Sequence, residues 1–138
     1  MARRRRRTPP SWLILDSGAV LALARHDPGV RAAFAAAIGD AVKVLVPAVV
    51  VAETVRGDGP RDAAINRVLN AVDEVVPVTE VVARTAGGLL AATASNATID
   101  ALIVAEAIQH GATIMTGDPD DLRSLAEGHP QVVIMPLA

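Results

Sequence analysis

The chain of 138 residues contains no cysteine and no tyrosine, a single phenylalanine and a single tryptophan. Without cysteine there is no disulfide and no thiolate-held metal, which suits a reducing cytoplasm. The three histidines, His26, His110 and His129, are scattered and lack the spacing of a zinc site. With so few aromatics, the core has to be built from Val, Leu, Ile and Ala, and so much alanine implies closely packed helices. No run of about 18 apolar residues is present, so no membrane span is expected. The length suits one domain with a single core.

Charge is unevenly placed. The formal net charge is −2, yet Arg3 to Arg7 supply five positive charges, leaving residues 8–138 with 8 basic against 15 acidic groups, a balance of −7. An acidic body carries a basic, proline-ended tail over residues 1–10, whose composition reads as disordered. Arginines followed by Trp12 to Ala24 imitate a secretory leader. Asp16 in the middle of the apolar stretch argues against one, and cleavage there would remove the first strand.

What is present organises around Trp12-Leu13-Ile14-Leu15-Asp16-Ser17-Gly18-Ala19-Val20. Four large apolar residues run into an acid, a small polar residue and a glycine, then an apolar helical stretch: a short buried strand, a tight turn and a helix. Asp27 and Pro28 open a second helix that Gly39 closes. Val42 to Val46 alternates as a second strand. Pro47 opens a helix through Val55, and Arg61 to Ala71 forms another. Glu74 to Val78 reads as a third strand, and Pro77 places it at an edge of the sheet. Thr79 to Ala94 has helical pattern despite Gly87-Gly88, which would allow close approach of another helix or a second subunit. A cap cluster at Ser95 to Thr98 precedes a helix from Ile99 to His110, ended by Gly111. Ala112 to Met115 is a fourth strand, Pro119 onward a short helix, and Gln131 to Met135 a fifth strand. Strands interleaved with helices imply a three-layer α/β/α domain over residues 11–138 with a mainly parallel five-stranded sheet. In the order 3-2-1-4-5 the first and fourth strands flank the switch point, where such sheets place ligands. Asp16 and Asp118 follow those two strands.

Two further acids point the same way. Glu53 lies one turn beyond Val49 and Val50 in an apolar helix and shares their inward stripe, unless it is an edge glutamate paired with Arg56. Asp100, in the first turn of its helix, lies on the face continued by Ile103, Val104 and Ala107. Glu106 lies on a face shared with Gln109 and His110 and stays outside the site. Asp16 and Asp118 each also suit an N-cap, and Asp120 and Asp121 suit the first turn of a helix. Two carboxylates about 4 Å apart repel by about 4 kcal/mol at a typical effective dielectric. A pocket holding four must raise their pKa values or bind a divalent cation. Oxygen donors alone favour Mg²⁺ or Mn²⁺ over zinc, and such ions serve phosphodiester hydrolysis.

These segments resemble the PIN-domain ribonucleases, specifically the VapC-type toxins of bacterial toxin–antitoxin pairs. The resemblance rests on Leu15-Asp16-Ser17-Gly18-Ala19, Pro47 to Glu53, Ile99 to Ala105, and Thr116-Gly117-Asp118-Pro119-Asp120-Asp121-Leu122, in order and spanning most of the chain. It implies a metal-binding acidic quartet of Asp16, Glu53, Asp100 and Asp118, with Asp121 at the rim and Ser17 and Thr116 supplying hydroxyls. It further implies Mg²⁺- or Mn²⁺-dependent endonucleolytic cleavage of RNA, a homodimer, and inhibition by a VapB-like antitoxin. Arg25, Arg31 and Arg56 are candidates for contacting backbone phosphate, and the resemblance assigns the arginine tail no role. The rival reading is a catalytically silent PIN-like module that binds RNA or protein, which gives no reason for clustered acids. A response-regulator-like domain would need an aspartate after the third strand and a lysine after the fifth. Here Val76-Pro77-Val78-Thr79 ends the third strand, and the only lysine, Lys43, lies in the second.

Overall fold

The computed structural model describes residues 11–137; the arginine tail lies outside the described residues. The chain runs β1 (Trp12–Leu15), α1 (Ser17–Ala24), α2 (Pro28–Gly39), β2 (Lys43–Pro47), α3 (Ala48–Thr54), α4 (Gly59–Ala71), β3 (Glu74–Val76), α5 (Glu80–Thr93), α6 (Thr98–His110), β4 (Thr113–Thr116), α7 (Pro119–Leu125) and β5 (Val133–Pro136). The five strands form one sheet in the order β3-β2-β1-β4-β5, as expected. Every neighbouring pair is parallel.

β1 sits at the centre because its residues tolerate burial on both faces. Leu13, Ile14 and Leu15 are fully enclosed, Leu13 lying between Val44 and Thr113 and Ile14 between Leu45 and Ile114. The Asp16 amide donates to the Met115 carbonyl at 3.2 Å, which carries the β1–β4 pairing one residue past the strand. The first βα turn is thereby tied to the fourth strand.

Several boundaries differ from expectation. β3 stops at Val76, because Pro77 has no amide to continue the ladder. It is an edge strand, as Pro77 required. Gly39 is the last residue of α2, and the left-handed residue beyond it is Ala41, with φ +57°. The cap cluster before α6 works differently from the usual N-cap: Ala97 occupies the cap with no side-chain bond, while Ser95 Oγ accepts the Ala97 amide at 3.1 Å. Gly87 and Gly88 face open space, and a Cβ on either would meet nothing within 4 Å. Among the described residues no neighbouring helix makes the close approach expected there, and the second-subunit alternative is left for the assembly.

No single helix among the described residues is long and apolar enough to cross a membrane. α5 and α6 together match in composition, but they bend by 118° at their junction. The apolar residues of α6 serve the core, where Ala101, Ile103, Val104, Ala105 and Ala107 are buried.

Candidate active site

Two turns at the carboxyl ends of β1 and β4 build the centre of the site. Asp16 is the N-cap of α1, its Oδ1 accepting the Ala19 amide at 2.9 Å. Asp118 occupies the corresponding place before α7 but makes no side-chain cap bond. The cap reading therefore describes Asp16 in part, and at Asp118 it describes only the backbone. The Asp118 amide is instead held by Thr116 Oγ1 at 2.8 Å, and its exposed carboxylate is left uncommitted.

Two glycines allow these turns to meet. A Cβ on Gly18 would lie 3.2 Å from the Gly117 nitrogen and 3.4 Å from Asp16 Oδ1, closer than side chains normally pack. Gly117 in turn lies 3.8 Å from the Gly18 Cα when measured from its own Cβ position. The Asp-Ser-Gly and Thr-Gly-Asp sequences are thus two halves of one backbone contact.

Asp16 is buried, and burial raises its proton affinity; the Thr116 hydroxyl and the amides of Ala19 and Gly117 act against that rise, and Asp118 adds to it. Asp100, half-buried in the first turn of α6, is also raised. Burial is the largest cause, followed by the charges of Asp118, Asp121, Glu53 and Asp16. That list joins the loop after β1, the end of α3, the start of α6 and the start of α7 at one place. Thr116 is fully buried, and Ser17 is half-buried beside Asp16 in the first turn of α1.

Among the described residues, no ion pair offsets these charges. The ion pairs among the described residues are Arg61–Asp62, Arg84–Glu80, His110–Glu106 and Arg123–Asp120, and none includes Asp16, Glu53, Asp100, Asp118 or Asp121. Glu53 is not paired with Arg56, whose guanidinium donates to the carbonyls of Ala52 and Val55, both at 3.0 Å. The adjacent acids Asp120 and Asp121 divide: Asp120 turns outward to Arg123 at 3.4 Å, while Asp121 acts on Asp100. A depression of about 260 Å³ is lined by Gly117, Asp118, Pro119, Asp120 and Asp121. The larger depression, about 390 Å³, lies among α1, α2 and α4 over Leu23, Phe34, Ile38 and Val68, rimmed by Arg31 and Arg67. It holds no acid and has no part in this chemistry. Arg25 and Arg56 are exposed, and nothing directs them at the acids.

As the side chains stand, no three acids among the described residues converge closely enough to hold one ion. The fit to a divalent ion lies in the donor chemistry: oxygen ligands only, mutually repelling, with no cation to balance them. Closing on an ion requires rotation of side chains such as Asp118, which no cap bond restrains.

Two buried acids were not anticipated. Glu106 is 5% exposed, not on a solvated face, and bonds to His110 at 3.1 Å. That bond takes up its carboxylate, and the signal was the Glu-His pair four residues apart. Asp62, 2% exposed, binds the turn after α3, and its place just after Arg56-Gly57-Asp58-Gly59-Pro60 was the clue.

A doubly wound parallel sheet with acids gathered at its switch point defines an α/β domain with a candidate acidic site at its strand ends. The PIN domain family model matches residues 13–128, and the chain belongs to that family. Among solved structures it is similar to a chain of VapBC2 from Rickettsia felis bound to a promoter DNA fragment, at 13% identity and TM-score 0.73, covering 92% of this chain and 99% of that one. It is also similar to DNA-bound VapBC from Salmonella typhimurium, at 14% identity and TM-score 0.71, covering 93% and 99%. FitAcB from Neisseria gonorrhoeae aligns at 20% identity and TM-score 0.65, covering 89% and 96%. The comparison with curated proteins gives no match.

Proposed function

We propose that the chain is a Mg²⁺- or Mn²⁺-dependent endoribonuclease, the toxin of a VapBC-type toxin–antitoxin pair. Residues 11–138 would form the PIN domain, and residues 1–10 a basic tail. The observation that carries this reading is the meeting of acids from four separate chain segments around Asp100, with no ion pair among them. Asp16, Glu53, Asp100 and Asp118 are the ion's ligands, with Asp121, Ser17 and Thr116 in support. An ion held there supplies positive charge to a phosphate oxygen and makes a bound water more acidic.

The protein's own groups do the rest. The Ala19 amide fixes Oδ1 of Asp16, and the Thr116 hydroxyl and Gly117 amide also hold its carboxylate. Thr116 holds the Asp118 backbone by its hydroxyl, so both aspartates are oriented by one buried side chain. An acidic cleft admits an RNA phosphate only when a cation is present, which makes metal the gate to substrate. The similar solved structures include VapBC complexes, which supports a VapB-like antitoxin as partner; a homodimer and a cytoplasmic site of action complete the proposal.

The test is cleavage of total RNA by the purified chain with Mg²⁺, Mn²⁺ or chelator, comparing wild type with Asp16→Asn and Asp118→Asn. Metal-dependent cleavage that falls more than about 100-fold in both variants is expected. Chelator-resistant cleavage, or full activity in both variants, would overturn the reading in favour of a silent binding module.

A further inference from the structure

The turn between α3 and α4 is organised by a carboxylate to which the proposed reaction gives no role. Asp62 Oδ2 accepts the amides of Arg56 at 3.0 Å, Gly57 at 2.8 Å and Asp58 at 3.1 Å. Three consecutive amides pointing into one concavity form an anion-binding nest, and here the chain's own acid fills it. Gly57 makes the nest possible by its positive φ of 76°. Asp62 Oδ1 accepts Arg61 Nη1 at 2.8 Å, and the same nitrogen donates to the Thr54 carbonyl at 3.2 Å.

These bonds converge on the end of a short helix. α3 has seven residues, and its N-cap, Pro47, makes no side-chain bond. A helix under two turns is marginal alone, so its last turn depends on what holds it from outside. Thr54 ends that turn and also donates its hydroxyl to the Val50 carbonyl at 2.8 Å. Glu53 is its immediate neighbour. Burial favours a proton on Asp62, but the nest amides and Arg61 outweigh it and keep the carboxyl below the ordinary range.

We propose that Asp62 is a positioning residue for Glu53, clamping residues 56–58 and Arg61 so that the end of α3 holds Glu53 toward the acidic cleft. This rests on the reading of that cleft as a divalent-ion site. Asp62 itself touches neither ion nor substrate. Its effect on the ion passes through Glu53 alone, which separates it from a general contributor to stability.

A double-mutant cycle read by calorimetric Mn²⁺ binding to the full chain tests this. Asp62→Ala should weaken Mn²⁺ about tenfold, the scale of a lost supporting partner in a metal site. In a Glu53→Gln background the same substitution should change affinity less than about twofold, whereas in an Asp100→Asn background it should keep most of its effect. Asp62→Asn, which retains one acceptor for the nest, should recover part of the loss. Should Asp62→Ala fail to fold, Arg61→Met leaves the nest intact and frees the Thr54 carbonyl, and should show the same dependence on Glu53 with about a threefold loss. An equal loss with and without Glu53, or no loss in a folded Asp62 variant, would overturn the proposal. Wild type that binds no Mn²⁺ would overturn the reading of the cleft as well, whereas wild type that binds while the cycle is additive overturns this proposal only.

Discussion

The two ends of the sheet treat their acids oppositely. At the amino ends, Asp73 Oδ2 accepts the Val44 amide at 2.7 Å, and Glu106 bonds to His110, whose ring lies 5.3 Å from that of Trp12. Each of these two acids, Glu106 buried and Asp73 exposed, has a partner that explains its position. At the carboxyl ends, Asp100 feels the charges of Asp118, Asp121, Glu53 and Asp16, and none of these acids takes part in an ion pair among the described residues. The same side-chain chemistry thus serves cohesion at one end and stores repulsion at the other. Like charges set together without a partner are the electrostatic pattern of the proposed ion site.

Substitutions can test that contrast, beginning with the largest effect. Cleavage should collapse in Asp16→Asn and Asp118→Asn and remain within about twofold of wild type in Glu106→Gln, a buried acid equally close to the sheet but already engaged. Comparable losses at both ends would erase the distinction. A smaller effect should come from Asp100→Asn, which relieves like-charge repulsion and should stabilise the metal-free protein by about 1–2 kcal/mol at pH 7 in thermal unfolding, while abolishing the stabilisation that Mn²⁺ gives.

The sign of the pH dependence follows from the direction of the shifts. Asp16 and Asp100 hold protons more tightly when folded, so they favour the fold below their ordinary value of 3.8 and lose that contribution as pH rises through their raised folded values. The gain from Asp100→Asn should therefore shrink toward pH 4. Asp62 runs the other way: its lowered value contributes stability above 3.8 that is lost as pH falls.

Smaller still, Gly87→Ala and Gly88→Ala should each stabilise α5 by about 1 kcal/mol, because the added methyl meets nothing. Unlike the Asp100 gain, this one should not vary with pH or metal. If the expected homodimer packs on these glycines, the same methyls should raise its dissociation constant in sedimentation.

The strand order and the two ends of the switch point were legible in the sequence because each apolar strand runs directly into its acid. Leu15-Asp16 and Thr116-Gly117-Asp118 carry their own positions. The half-buried placement of Glu53 and Asp100 was legible through helical periodicity, since Val50 and Val104 mark the inward face; their role as candidate ion ligands came from the resemblance. What remained hidden was non-local. No pattern reveals that Gly18 must yield to the Gly117 backbone, or that Asp62 reaches back to three amides across a turn. Glu106 was misplaced because its polar neighbours suggested a wet face, whereas the pairing with His110 lets it remain inside.

The contact between Gly18 and Gly117 has a consequence for redesign. Main chain rests on main chain there, and the Asp16 carboxylate adds a tie to Thr116 and the Gly117 amide, so backbone contact and one side chain together set the gap between the first and fourth strand ends. An amide, imidazole or longer carboxylate could be exchanged at exposed, uncapped position 118 to alter ion preference without resetting the frame, whereas a methyl on Gly18 would press on the Gly117 backbone itself with every acidic side chain intact.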